Sequence, residues 1–216
     1  MRRRLISLLA AVVTALAAAP ARADRRSILI PGGPEVPTPR DVPSRLILDF
    51  GLGPAYVRSG ATMNGITQSV SGVGPEVTAA VGWVATPDLM LGVEYAGVYV
   101  YRPWLDTKAR SNDSSGYTFG SHLLGPTGRY YLGPDLWISA MGGLTALKLS
   151  DNDQNGFGWE YGWGARAGVG TVWRLDARWL CNLGAHLGFA RNDSSPPAAP
   201  TWTTLTGGVV VTFSFR

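Results

Sequence analysis

The sequence has few of the residues from which disulfide scaffolds, metal sites and catalytic centres are built. Its 216 residues include one cysteine, Cys181, and two histidines. A single cysteine can form neither an internal disulfide nor a cysteine-based zinc site. These absences exclude the disulfide-stapled secreted scaffolds and the zinc folds, and we predict no cofactor.

Charged residues are also scarce, at 16% of the chain, and the basic excess lies at one end. Four of the 19 lysines and arginines, but none of the 15 acidic residues, fall within residues 1–23. The rest of the chain therefore has a formal net charge of zero. Nucleic-acid binding needs a clustered basic face that neutralises phosphates, so we predict no nucleic-acid partner.

A long apolar run occurs only near the start. Three arginines at 2–4 precede an apolar stretch over residues 5–19, and small residues follow up to Ala23. This order is typical of a secretory signal peptide over residues 1–23, with cleavage after Ala23. The run is shorter than the roughly 20 residues of a spanning helix. Residues 24–44 contain five prolines and no apolar period, which predicts an extended periplasmic leader.

The remaining sequence is dominated by alternation. From residue 45 onward, about eight segments of 10 to 15 residues carry an apolar side chain at every second position and end in turn residues. The segment from Trp159 to Trp173 is the clearest, because its aromatic and aliphatic residues alternate with Glu160, Arg166 and glycines. The fifth segment, residues 136–149, is apolar or small on both faces, which leaves its register open.

The strand face opposite the bulky residues decides the fold class. It consists mostly of Gly, Ala, Ser and Thr, whereas a water-facing surface would be rich in Lys, Glu and Asp. A face of small residues fits the crowded lumen of a narrow barrel, and the bulky face then contacts lipid. We therefore predict an all-β fold, an eight-stranded antiparallel up-and-down transmembrane β-barrel over residues 45–216.

Two further patterns support a membrane barrel. Connections near 85–88, 133–135 and 173–176 are short, and those at 58–69, 102–116, 150–157 and 191–200 are longer. Short turns are typical of the periplasmic side, so both termini are predicted to be periplasmic. Aromatic residues also gather near both strand ends, as they do at membrane interfaces. The two predicted girdles are Trp83, Tyr130, Trp137, Trp173, Trp179, Phe213 and Phe215, and Tyr99, Tyr101, Tyr117, Phe119, Trp159, Tyr161 and Trp202.

The last segment ends in the sequence Val-Thr-Phe-Ser-Phe-Arg, with aromatics at Phe213 and Phe215. Together with the signal peptide, the eight segments and the girdles, it resembles the small eight-stranded outer-membrane barrels of Gram-negative bacteria, such as the OmpA membrane domain, OmpX and OmpW. The resemblance implies an outer-membrane location, contact with outer-membrane lipids, and recognition of Phe213 and Phe215 by the barrel-assembly machinery. Ligands of the extracellular loops are the other candidate partners.

Five charged residues are predicted to face the lumen: Asp49, Glu76, Glu94, Arg129 and Arg166. Bulk water is scarce inside an eight-stranded barrel, so these charges are expected to pair, with Asn182 and His186 at nearby inward positions. The favoured interpretation is a structural ion-pair plug, because unpaired buried charges are costly. The alternative is a narrow ion path, because charges at membrane depth also line pathways.

One loop shows part of a metal-binding pattern. Asp151, Asp153 and Asn155 match the start of a calcium-binding loop that continues to Gly156. The closing position, which should be a bidentate glutamate, is Gly162. We therefore predict a plain hairpin loop rather than a metal site.

Catalytic chemistry has little support. Some small barrels modify lipid A with a His and a Ser two residues apart on one strand face, but Gly188 stands at that spacing after His186, and His122 lies between Gly120 and Leu124. We predict no catalytic residue and a structural or interactive role through the extracellular loops. A narrow porin-like channel for small or hydrophobic solutes is the alternative, and a lipid A-modifying enzyme is the least supported.

Overall fold

The computed structural model describes residues 46–215 except 64–65, 108–109, 114–115, 152–157, 177 and 194–199. The predicted signal peptide (1–23) and leader (24–44) lie outside these residues. In the described part of the chain, no helix is long and apolar enough to cross a membrane.

The described residues form ten β-strands. In chain order they are β1 (Leu46–Met63), β2 (Ile66–Thr86), β3 (Leu89–Tyr101), β4 (Trp104–Thr107), β5 (Arg110–Asp113), β6 (Tyr117–Tyr131), β7 (Leu136–Asp151), β8 (Glu160–Arg174), β9 (Trp179–Asp193) and β10 (Thr201–Phe215).

Eight of these strands close into a barrel. The ring runs β1, β2, β3, β6, β7, β8, β9 and β10, and β10 pairs with β1 to close it. All the pairings are antiparallel, and the closing register matches Leu48 with Phe215 and Gly60 with Thr203. The predicted eight-stranded antiparallel barrel is confirmed. Closure pairs each strand of the ring on both sides, which satisfies backbone groups that an open sheet would leave at its edges.

The barrel has two different rims. The turn rim carries the short connections 87–88, 132–135 and 175–178, which backbone hydrogen bonds close, such as the 2.9 Å bond from Leu132 N–H to Leu136 C=O. The loop rim is the opposite end, where β1, β3, β7 and β9 finish.

Two segments expected to be long loops are largely strand. Residues 58–69 continue β1 and β2, which pair from Arg58 with Ser71 as far as Met63 with Ile66. Within 102–116, β4 pairs with β2 and β5 pairs with β4, which adds a hairpin at the loop rim. The prediction was wrong here because paired strands satisfy their backbone hydrogen bonds whether or not they carry a bulky apolar face. The part of a strand that extends beyond the apolar wall therefore lacks the pattern that marks the rest of it.

The alternation places bulky apolar side chains outside and small or polar side chains inside. On β1, Leu52 is 62% exposed and Asp49 is 3% exposed. On β7, the segment whose register the sequence left open, Leu144 is 74% exposed whereas Trp137 is buried. Odd-numbered residues of β7 therefore face inward.

The interior has apolar clusters near both rims. The loop-rim cluster consists of Ala55, Val57, Val70, Val98, Val100, Phe119, Leu147 and Leu149. The turn-rim cluster consists of Trp137, Val172 and Leu180.

Four aromatics predicted to face lipid contribute to these interior clusters instead. Phe119 and Trp137 are buried members, and Tyr117 and Trp202 pack against the loop-rim cluster. Nearness to a strand end indicates the height of a residue in the barrel, whereas only the register decides which face it occupies. Large rings also fill the interior, where an empty space would cost packing energy.

Candidate functional site in the barrel interior

The five charged residues predicted to face the lumen come from five different strands. Asp49 lies on β1, Glu76 on β2, Glu94 on β3, Arg129 on β6 and Arg166 on β8. Each sits at an inward position of its strand, and the structure brings all five, together with His186 of β9, into one layer of ion pairs. We call these six residues the charged layer.

Arg166 joins the two glutamates. Its Nη2 lies 2.7 Å from Oε1 of Glu76, and its Nη1 lies 3.1 Å from Oε1 of Glu94. Thr127 Oγ1 donates a 3.0 Å hydrogen bond to the other oxygen of Glu94. His186 Nε2 lies 2.9 Å from Oε2 of Glu76. One arginine therefore bridges two carboxylates. Glu94 has a second hydrogen-bond partner in Thr127, whereas Glu76 Oε2 has a close contact with His186 but no hydrogen bond.

Arg129 and Asp49 form a separate pair. Arg129 Nη2 lies 3.0 Å from Asp49 Oδ2, and the guanidinium carbon lies 4.8 Å from the centre of the Trp137 ring. Both charged side chains are less than a tenth exposed. The pair is electrostatic rather than a well-aligned hydrogen bond, because both Asp49 oxygens lack a hydrogen-bond partner. A cavity of about 40 Å³ beside the pair can hold a water molecule that supplies such bonds.

Glycines provide the space for these long side chains. A Cβ atom at Gly208, which pairs with His186 across β9 and β10, would lie 2.9 Å from Cε1 of the His186 ring. Gly188 pairs with Arg166 across β8 and β9, and a Cβ atom there would overlap Thr206 Oγ1 and lie 3.8 Å from the Cβ atom of Arg166. The inward glycine at 208 therefore leaves room for the His186 ring, and the one at 188 leaves room for Thr206 beside Arg166.

The charged layer lies between the two apolar clusters. Towards the turn rim, Arg129 stacks on Trp137, a member of the turn-rim cluster. Towards the loop rim, Glu76 and Arg166 line a second cavity, of about 30 Å³, together with Val98 of the loop-rim cluster. Ions crossing the lumen would have to pass an apolar layer, the charged layer and a second apolar layer.

The charges in this layer nearly balance. Three carboxylates face two guanidinium groups, so a neutral His186 leaves one net negative charge and a protonated His186 leaves none. In a low-dielectric interior an unbalanced charge is costly. The His186 contact with Glu76 therefore belongs to the electrostatics of the site.

Sequence reasoning missed Thr127 and Trp137 as parts of this site. Thr127 has a readable signal, because it precedes Arg129 by two residues and so shares its inward face. Trp137 has no equivalent signal, since it lies in the segment that is apolar or small on both faces. Asn182, expected near the charges, instead donates a 2.8 Å hydrogen bond to Ser214 Oγ.

In the described part of the chain, neither histidine has the partner that serine-type catalysis requires. His186 contacts Glu76, and His122 Nδ1 lies 2.8 Å from the hydroxyl of Tyr95. Within the described residues, neither ring hydrogen-bonds a serine or threonine hydroxyl. Asp153 and Asn155, and the side chain of Asp151, lie outside the described residues, so the calcium-loop interpretation stays a prediction.

The two aromatic residues proposed for assembly lie outward on β10. Phe213 is 46% exposed, and Phe215 packs against Trp179 of β9 with ring centres 5.1 Å apart. Both belong to the strand that closes the barrel against β1. Their recognition by an assembly machinery stays a prediction.

No known protein family matches the sequence, and no curated protein matches it. Similar solved structures include Ail, the attachment invasion locus protein of Yersinia pestis, at 11% identity, with 79% of this chain and 99% of that chain covered and a TM-score of 0.47. OprG, an outer membrane protein from Pseudomonas aeruginosa, is 10% identical over 80% of this chain and 96% of that chain, with a TM-score of 0.46.

The outer membrane protease OmpT from Escherichia coli is also similar, at 6% identity over 81% of this chain and 97% of that chain, with a TM-score of 0.48. At these identities and scores the similarity does not extend to an activity or a partner. The assignment of the barrel rests on the strand pairings described above.

Proposed function

We propose that this chain is an integral outer-membrane β-barrel of a Gram-negative bacterium with a closed lumen, which acts through its loop rim rather than by conducting solutes or by catalysis. In this proposal the loop rim faces the exterior and both termini face the periplasm. Outer-membrane lipids, the barrel-assembly machinery and ligands of the extracellular loops are its partners.

The outer wall supports the membrane location. Large apolar side chains cover it on every strand of the ring, including Phe50 at 63% exposure, Val73 at 66% and Leu187 at 56%. Contiguous apolar surface on this scale is a liability for a protein surrounded by water, whereas it is the ordinary exterior of a barrel surrounded by lipid.

The ion-pair layer between the two apolar clusters is the single observation on which the proposal of a closed lumen rests. The cavities of about 40 and 30 Å³ beside this layer are large enough to hold water. Within the described residues, neither histidine ring hydrogen-bonds a serine or threonine hydroxyl, which favours a role other than catalysis.

Two measurements test the location. The protein should fractionate with outer membranes, and it should migrate differently on SDS gels before and after boiling, because a closed barrel resists SDS until it is heated. Recovery in the soluble periplasmic fraction would refute the proposal.

Conductance in a planar bilayer tests the closed lumen against the channel alternative. The purified protein should give no reproducible conductance steps. Steps whose ion selectivity changes in Glu94→Gln or Arg129→Ala would establish the channel and overturn the closed lumen. Expression of the protein should also leave the mass of lipid A unchanged, and a mass change that disappears in His186→Ala would indicate an enzyme.

A further inference from the structure

A polar cluster interrupts the apolar outer wall on the side of β3, β6 and β7. It comprises Tyr95, Tyr99, His122, Lys148 and Trp159, and we call it the outer-wall cluster. His122 shares the outward face of β6 with Leu124, which is 51% exposed. Lys148 shares the outward face of β7 with Leu144. A histidine and a lysine on a lipid-facing wall need polar partners, because the transfer of their unpaired polar groups into hydrocarbon is energetically costly.

A chain of hydrogen bonds fixes the histidine ring. The hydroxyl of Tyr95 lies 2.8 Å from His122 Nδ1 and 2.9 Å from the hydroxyl of Tyr99. When Tyr99 donates to Tyr95 and Tyr95 donates to Nδ1, the proton of the ring resides on Nε2 and points away from the chain. Among the described residues, Nε2 of His122 has no hydrogen-bond partner.

A glycine keeps this nitrogen accessible. A Cβ atom at Gly120 would lie 3.1 Å from His122 Nε2, so a larger residue would crowd the donor. Gly120 also pairs with Lys148 across β6 and β7, which places the lysine beside the same opening. Two donors from neighbouring strands therefore flank a position without a side chain.

The side chain of Trp159 lies near both donors. Its ring centre lies 5.5 Å from that of His122, and Lys148 Nζ lies 5.4 Å from a ring of Trp159. In the part of the chain that the structure describes, Lys148 forms no ion pair with a carboxylate. Aromatic rings with adjacent cationic groups are typical of the membrane–water interface, where lipid headgroups carry their phosphates.

We propose that the outer-wall cluster binds the phosphomonoester of a lipid A headgroup in the leaflet at the loop rim. A phosphomonoester carries more charge than the phosphodiester of a phospholipid and offers three acceptor oxygens, enough for His122 Nε2–H and the Lys148 ammonium together. The inference rests on the proposed membrane location, and it adds a ligand class and a binding site to that proposal.

Binding is measured on the purified protein in phosphatidylcholine nanodiscs that contain a small fraction of lipid A. Native mass spectrometry gives the amount of lipid A retained, and the NMR signal of His122 Nε2 reports contact at the ring. Lys148→Ala should weaken retention about fivefold, since one cation near a membrane surface contributes on this scale. His122→Ala should weaken it as well. Arg191→Ala is the matched control, because Arg191 lies near the same rim on β9, outside the cluster.

Each outcome decides the proposal. Loss of lipid A in Lys148→Ala and His122→Ala, with retention in Arg191→Ala, supports the site. Equal retention in all variants, or equal loss in Arg191→Ala, overturns it. An equal response to nanodiscs with phosphatidylglycerol in place of lipid A, or to inorganic phosphate alone, also overturns the headgroup assignment. Heat-modifiable migration of each variant on SDS gels, checked first, separates failure of this inference from failure of the membrane proposal.

Discussion

At the residue scale, the charged layer depends on one side chain more than on any other. Arg166 is the only described partner that joins Glu76 to Glu94, at 2.7 and 3.1 Å. Among the described carboxylates, Arg129 pairs with Asp49 alone, and its guanidinium lies over the ring of Trp137. Removal of Arg166 therefore leaves two carboxylates of a buried layer with reduced compensation, and the cost lies in the desolvated charges left behind rather than in the lost contact alone.

We expect Arg166→Met to lower the free energy of unfolding by about 3–5 kcal/mol, the range for breaking a buried ion pair. Urea unfolding in lipid vesicles measures this change. Arg191→Met is the matched control, since the Arg191 side chain is 53% exposed and its pair with Asp193 is 3.8 Å long. Such an exposed pair contributes about 0–1 kcal/mol.

The triple variant Arg166→Met, Glu76→Gln and Glu94→Gln separates charge from packing. It should recover much of the lost stability, because neutral amides remove the uncompensated charge and keep the shape. Equal losses in Arg166→Met and Arg191→Met would contradict the role assigned to the layer.

At the element scale, each barrel strand has one outward face, which the membrane proposal places in lipid, and one face in the lumen, so the effect of a charged substitution depends on the face and the height of its position. Leu52 lies outward near the middle of β1, six residues from the turn rim, and is 62% exposed. Leu175 is 58% exposed as well, but it lies in the turn between β8 and β9. Similar exposure therefore corresponds to different surroundings.

Leu52→Arg should destabilise the barrel by about 2–4 kcal/mol, the cost of arginine near the bilayer midplane, whereas Leu175→Arg should cost about 0–1 kcal/mol near the interface. Unfolding in vesicles provides both values. If the two variants unfold alike, the apolar wall does not face a bilayer.

The turn between β8 and β9 contains a carboxylate that accepts two backbone hydrogen bonds. Asp176 Oδ1 accepts hydrogen bonds from the backbone N–H groups of Arg178 (2.6 Å) and Trp179 (2.8 Å). These bonds favour the ionised form and lower the pKa of Asp176 below its ordinary value. The contribution of this carboxylate to stability is present above the ordinary pKa and is lost as the pH falls through the lower folded pKa.

An NMR titration of the Asp176 carboxyl carbon should therefore give a pKa below that of an unperturbed aspartate. Asp176→Asn should remove this part of the acid dependence of stability and leave the rest. A titration at the ordinary aspartate value would contradict the turn geometry.

The sequence predicts the ring of strands because bulky apolar and small residues alternate strictly along most of them. It also places the five charged residues inward, because each occupies the small-residue face. Two things could not be read in this way. The hairpin of β4 and β5 is too short to show a sustained alternation of apolar residues, and Trp137 lies on a strand whose two faces are alike in composition.

The pairing of specific charges could not be predicted either. Arg166 of β8 reaches Glu76 of β2 and Glu94 of β3 across the lumen. Neither β2 nor β3 is a neighbour of β8 in the ring. Contacts across a barrel depend on the stagger of all the strands between them, which the pattern within one strand does not contain.

At the scale of the whole molecule, the proposed closure of the lumen consists of layers in series. The loop-rim cluster includes Phe119, the charged layer includes Arg166, and the turn-rim cluster includes Trp137. Barriers in series add, so removing one layer leaves the others in place. This arrangement distinguishes a permanently filled barrel from a channel with a single gate, in which opening one constriction is sufficient for conduction.

We therefore expect Phe119→Ala, Arg166→Ala and Trp137→Ala to remain silent singly in planar bilayers, although truncation of either buried aromatic should cost about 3–5 kcal/mol of stability. The triple variant, which shortens a side chain in every layer, should give small conductance steps. Heat-modifiable migration on SDS gels must first establish that each variant is folded. If the triple variant does not fold, the milder substitutions Trp137→Phe and Phe119→Leu take the place of its two aromatic truncations. A single variant that conducts as well as the triple variant would show that one layer forms the whole barrier. That layer would then be the gate of a channel, and the proposal of a permanently closed lumen would be wrong.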